Sequence, residues 1–179
     1  MVTHRPELHI TAPAGVLEAP AGSLLKDGTW HIMYQYEPQA DGHGHWGHVT
    51  SPHFSPFHWS EQQDILAPTE NETDLWAGSV ISDAGQVKLF FTSVFGTKTE
   101  VHRADIVDGT AQRKGCVVGD GEGGSNFRSP YDIARGAGWL MLAVSGPEDD
   151  PRPVILESLD TTNWSLIGDL EFSGKSGLE

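Results

Sequence analysis

The sequence predicts an all-β protein made of about three four-stranded β-propeller blades, and three observations carry that prediction. Helix formers are sparse, while 21 glycines, 11 prolines, 6 tryptophans and 7 phenylalanines punctuate short apolar runs, a composition suited to turn-rich sheets. One pattern recurs three times: a small residue, an apolar pair, a polar turn, then an aromatic-rich strand. The length, 179 residues, allows one compact core but not a comfortable second one, so a single domain over residues 1–179 is expected.

The first copy of the pattern is Gly22-Ser23-Leu24-Leu25-Lys26-Asp27-Gly28-Thr29-Trp30-His31-Ile32-Met33-Tyr34, and the second runs from Gly78-Ser79-Val80-Ile81 through Ala84-Gly85 to Leu89-Phe90-Phe91. Each reads as a hairpin with a glycine-containing turn. The third, Ser129-Pro130-Tyr131-Asp132 to Trp139-Leu140-Met141-Leu142, is looser. A second pair of strands follows, as in Gly47–Ser51 leading to His58-Trp59 and Val154–Ser158 leading to Asn163-Trp164. Trp59 and Trp164 then occupy equivalent places. They lie 105 positions apart, two units close to the length of a four-stranded blade. Blades are expected at roughly 20–70, 71–120 and 125–175.

Three blades do not close a ring, and open ends expose strand edges and apolar faces. Either the chain is cut from a longer protein, or copies associate, a two-fold homodimer supplying six blades. The ending Ser176-Gly177-Leu178-Glu179 matches a common cloning scar, which keeps truncation open.

The formal net charge of −14, from 25 acidic and 11 basic residues, repels phosphate backbones and anionic lipid, so neither nucleic acid nor a membrane is an expected partner. No apolar run nears the roughly 20 residues that span a bilayer. Met1 to Ile10 lacks the regions of a signal peptide, and a soluble, cytoplasmic protein is expected. Cys116 is the only cysteine, which excludes an internal disulfide and fits a reducing compartment. In the run Gly115-Cys116-Val117-Val118 it reads as a small buried apolar residue.

Several segments carry a family resemblance in order and spacing. Arg5-Pro6-Glu7-Leu8-His9-Ile10-Thr11-Ala12-Pro13 is followed by Trp30-His31-Ile32-Met33-Tyr34-Gln35-Tyr36-Glu37-Pro38, then by His45-Trp46-Gly47-His48-Val49-Thr50-Ser51. Phe57-His58-Trp59, Ile65-Leu66-Ala67-Pro68 and Trp76-Ala77-Gly78-Ser79 complete the series. Together, from Arg5 to about Pro130, they resemble glycoside hydrolase family 32: the invertases, levanases and sucrose-6-phosphate hydrolases. The resemblance implies a five-bladed propeller acting on fructose-containing sugars, with no cofactor.

Retaining glycosidases need one carboxylate to attack the anomeric carbon and another, about 5 to 5.5 Å away, to protonate the leaving oxygen. The resemblance adds a third, a transition-state stabiliser. The family's Trp-Met-Asn-Asp-Pro-Asn-Gly reads here Val16-Leu17-Glu18-Ala19-Pro20-Ala21-Gly22, so the nucleophile position is Ala19. Glu18 should point to the opposite face of an extended strand, although a one-residue slip would bring it inward. The stabiliser of the family's Arg-Asp-Pro becomes Ser129 in Phe127-Arg128-Ser129-Pro130. Nothing in Tyr131 to Leu178 reproduces the Glu-Cys-Pro of the acid/base residue, and Glu179 falls at about its distance. The expected catalytic set is therefore empty, with Glu18 and Glu179 as lesser candidates.

Gln35, Trp46, Trp76, Ser79 and Arg128 match sugar-contacting or motif positions of the family and would line a carbohydrate pocket. The plainer alternative is that Trp46 and Trp76 are retained because blades pack on aromatics. His43, His45 and His48 have spacing compatible with zinc or nickel, but the latter two belong to the family motif, and no metal site is expected. His31, His53, His58 and His102 have no convergent partner in the sequence. Asp120, Glu122, Glu148, Asp149 and Asp150 lack the spacing of a calcium loop, and Gly119–Ser125 lacks the lysine and helix of a phosphate loop. Three functions stay open: an inactive carbohydrate-binding or regulatory module, an active β-fructosidase using Glu18 or a partner-chain carboxylate, and an assembly protein without a ligand.

Overall fold

The computed structural model describes residues 9–38, 42–52, 58–121 and 123–171. Arg5 to Leu8, His53, Phe57, Glu122 and Glu179 lie outside the described residues. Among the described residues every element is a strand, and the twelve strands form three antiparallel sheets of four. The first holds β1 (Val16–Lys26), β2 (Thr29–Glu37), β3 (His45–Ser51) and β4 (Ser60–Glu61); the second β5 (Asp74–Asp83), β6 (Gln86–Phe95), β7 (Lys98–Val107) and β8 (Thr110–Val118). The third holds β9 (Arg128–Arg135), β10 (Gly138–Ser145), β11 (Arg152–Ser158) and β12 (Ser165–Asp169). Strands within each sheet are neighbours in chain order, the meander of a propeller blade. The all-β class and the three-bladed partial propeller follow. Trp59 and Trp164 each stand one residue before the fourth strand of their blade.

Tight hairpins make these meanders. Asp27-Gly28, Ala84-Gly85 and Asp108-Gly109 each supply two successive positive φ values, 49° and 74°, 48° and 83°, 50° and 78°. That is the requirement of the two-residue turn whose twist matches the strands.

Packing between blades forms the core. The middle blade is covered on both faces, so β6 is buried from Val87 to Val94 and its alternating side chains serve two interfaces. Phe91 joins Met33, Trp46, Leu66, Leu75 and Leu89 between the first and second blades. Phe90 joins Val101, Phe127, Met141, Leu156 and Trp164 between the second and third. Glu72, in the connection from β4 to β5, accepts from Thr69 N (2.7 Å), Ser93 Oγ (2.5 Å) and Arg113 Nη1 (2.8 Å). Outside these interfaces, Tyr131 and Ile133 on the third blade remain 61% and 40% exposed.

Candidate functional site

The innermost strands β1, β5 and β9 pack side by side, and each breaks register near the end where the expected site residues stand. On β1, Leu17 pairs with Tyr36 and Ala19 with Gln35, leaving Glu18 as an extra residue. On β5 the break falls between Trp76 and Gly78, and on β9 opposite Leu142 to Val144, where Ser129 takes φ 54°. Such bulges re-aim side chains and recur beside active sites.

The bulge decides where Glu18 points. Strict alternation predicts the face opposite Ala19's functional side, but the extra residue lets the Glu18 carboxylate accept a hydrogen bond from Gln35 Nε2. The slip considered from sequence is thus a local bulge, and a second one follows between Pro20 and Gly22. Partial burial, then the nearby carboxylates of Glu37 and Asp74, raise the Glu18 pKa above its ordinary value. Gln35 is itself buried, and its Oε1 accepts from Ala77 N at 2.5 Å. It therefore ties β2 to the bulge of β5 and holds Glu18.

Trp46 departs from the sugar-contact expectation. It is 0% exposed, meets Phe91 edge-on at 6.2 Å and donates Nε1–H to Trp76 O at 3.1 Å. No face of its ring is open to a sugar, and the packing alternative describes it. Trp76 is half-buried and donates Nε1–H to Asp74 Oδ2 at 2.8 Å, while Asp74 Oδ1 accepts from Gly44 N at 2.6 Å and Leu75 N at 2.8 Å. Asp74 thus fixes the indole and the loop before β3 together.

Trp76 and Arg128 come together in a cleft of about 420 Å³ between the second and third blades, which Thr99, Asn126 and Glu148 also line. Arg128 Nη1 donates to Asn126 O (3.1 Å) and Gly146 O (2.7 Å), and burial lowers its pKa. Its Nε and Nη2 make no hydrogen bond among the described residues. Thr99 is buried, and its Oγ1 has no partner there. A larger cleft of about 600 Å³, lined by Trp139, Leu159 and Asp160, lies at the other end of the third blade, away from Ala19 and Ser129.

Ala19 is half-buried and offers only a methyl; Ser129 is exposed, and its N–H donates to Thr92 Oγ1 at 2.9 Å. Ser79 is buried rather than open to a ligand, and its hydroxyl donates to Asp132 Oδ2. Sequence reasoning passed over Asp132. It shares the inward face of β9 with Pro130, and burial pushes its carboxyl up to about 7. A charged residue at an inward position of an alternating strand was the signal available.

The histidines sort individually. His45 Nδ1 meets Asp64 Oδ2 at 2.9 Å, and His31 Nδ1 meets His48 Nε2 at 3.0 Å with the rings stacked. His31 therefore has a partner that the sequence did not reveal. Burial, with His31 adding, lowers the His48 pKa to about 4. His102 also has partners, in Glu100 and Cys116, and Cys116 is exposed rather than buried. Asp120 Oδ1 accepts from Asn126 N at 3.1 Å, a loop tether.

Three four-stranded meanders whose inner strands are bulged define a partial β-propeller. The family model described as "Glycosyl hydrolases family 32 N-terminal domain" matches residues 9–178, and the chain belongs to that family. It is 28% identical over 188 residues to the sucrose-6-phosphate hydrolase of Bacillus subtilis (strain 168), covering 98% of this chain and 39% of that protein. It is 33% identical to an invertase of Debaryomyces hansenii, covering 91% of this chain and 34% of that one. The Bombyx mori GH32 beta-fructofuranosidase matches in structure with a TM-score of 0.78 at 25% identity, over 93% of this chain and 38% of that chain. The chain thus spans well under half the length of these relatives.

Proposed function

We propose that this family 32 propeller binds fructose-containing sugars without hydrolysing them, as a carbohydrate-binding or regulatory module. The observation carrying this reading is the contrast between the two expected aspartate positions, Ala19 and Ser129, and the cleft that Trp76 and Arg128 line. Ala19 and Ser129 provide no carboxylate, and loss of the nucleophile removes the covalent step of a retaining mechanism. Trp76 and Arg128 still offer an apolar surface and charged donors, the composition of a small-ligand site. An aspartate-to-alanine variant of the Bombyx mori enzyme forms a complex with sucrose, so a family member can hold sugar with alanine at an aspartate position. Cytoplasmic localisation, suggested by the single cysteine, and homodimer formation through open blade faces, suggested by exposed Tyr131 and Ile133, belong to the same reading.

Calorimetric titration with sucrose and with fructose tests the binding. The expected result is heat that saturates at one site and weakens by about tenfold or more in Arg128→Ala, the usual cost of a lost charged donor. Absence of heat with both sugars would favour an assembly protein without a ligand.

One observation favours a second reading. The β1 bulge turns Glu18 onto Gln35, which would suit a displaced nucleophile in an active β-fructosidase.

A further inference from the structure

The outer strands of the middle blade gather three metal-ligating side chains that belong to none of the family motifs. Glu100 and His102, two apart on β7, share a face. Cys116 is the cross-strand partner of His102 on β8 because register shifts between Val101 and His102, leaving Val117 as the extra residue. A carboxylate oxygen of Glu100, a ring nitrogen of His102 and Cys116 Sγ all lie within 4.8 Å of one another. Glu100 Oε2 and His102 Nε2 are already 3.0 Å apart.

The surroundings leave room for an ion. The side chains of Glu100 and His102 are only 17% and 14% exposed, so the sheet holds them, whereas Cys116 is exposed and open to approach. Gly119 closes the far side without filling it: a Cβ there would lie 3.1 Å from Cys116 Sγ and 3.4 Å from Glu100 Oε1. Tetrahedral zinc, with bonds of about 2.0 to 2.3 Å, separates its ligand atoms by roughly 3.3 to 3.7 Å, so small shifts of the ligand atoms, including a slight opening of the 3.0 Å Glu100–His102 pair, complete the geometry. Lys98 Nζ lies 2.7 Å from Glu100 Oε1, but its side chain is 44% exposed and can swing to Asp120, whose Oδ2 is 3.6 Å away.

We propose that Glu100, His102 and Cys116 form a zinc-type divalent metal site, with water in the fourth position. The mixed oxygen, nitrogen and sulfur set suits zinc rather than calcium or magnesium, and the net charge of −14 concentrates cations at the surface. Binding replaces the S–H bond of Cys116 by an S–metal bond and releases one proton to solvent. The ion joins β7 to β8 beside the cleft, since Thr99 precedes Glu100 and its N–H donates to Asn126 Oδ1 at 3.2 Å.

Titration of metal-free protein with cobalt(II), kept reduced by a phosphine, tests the site. The expected result is a thiolate-to-cobalt charge-transfer band that saturates at one ion per chain and is bleached by zinc. Affinity should fall by about tenfold or more in both His102→Ala and Glu100→Gln, with far-ultraviolet circular dichroism unchanged in the metal-free state. Absence of the band in the wild type would overturn the proposal. So would a band whose titration is unchanged in both variants, since that would describe a cysteine binding metal alone.

Discussion

Asp132→Asn is expected to stabilise the chain at pH values above about 7 by up to about 4 kcal/mol, and to flatten its stability between about pH 4 and pH 7. Burial raises the Asp132 pKa from 3.8 to about 7, and its Oδ1 has no hydrogen-bond partner among the described residues. Ser79 Oγ donates to the other oxygen, which favours the charged form, but burial outweighs it. A group raised in this way contributes stability that is fully present below its unfolded pKa and is lost as pH rises through the folded one. The native state binds the extra proton across that window, so wild-type stability falls there by about 1.4 kcal/mol per pH unit. Asparagine is neutral throughout and keeps an oxygen for Ser79. Urea midpoints of both proteins at several pH values between about 4 and 8 measure the difference; parallel curves would show that Asp132 is charged and solvated.

Trp46→Ala is expected to cost about 3 to 5 kcal/mol, the range for removing a large buried aromatic side chain. Its side chain fills the junction of the first two blades, edge-on to Phe91 and in one buried cluster with Leu66. The substitution removes dispersion contacts, opens a cavity and leaves Trp76 O without its 3.1 Å donor. Equilibrium urea unfolding checks it, with Trp59→Ala as the comparison. Trp59 is only half-buried at the outer face of the first blade, and its loss should cost clearly less. Equal losses at both positions would mean that the blade junction is not the main core.

These two residues also mark how far a sequence can be read. The hairpins at Asp27-Gly28 and Ala84-Gly85, and the matching places of Trp59 and Trp164, rest on local turn chemistry and on repetition, and both are legible in one dimension. The expectation of vacant aspartate positions at Ala19 and Ser129 rests on motif position alone. Orientation was not. Glu18 faces Gln35 only because β1 bulges there, and a bulge is set by packing against the neighbouring blade, which no local pattern encodes. Trp46 looked like a sugar platform because its motif matched, yet the second blade covers its ring completely. The cluster of Glu100, His102 and Cys116 joins residues far apart in number through a shifted cross-strand register. A reading that treats each strand alone has no means of finding such pairs.

The proposal that this propeller binds sugar without hydrolysing it is tested most directly by an assay of fructose release from sucrose and levan. The purified protein and Glu18→Gln are both predicted to release no fructose above the buffer rate. Release by the wild type at a specific rate that stays constant through further purification would contradict the account, and its disappearance in Glu18→Gln would identify Glu18 as the displaced nucleophile.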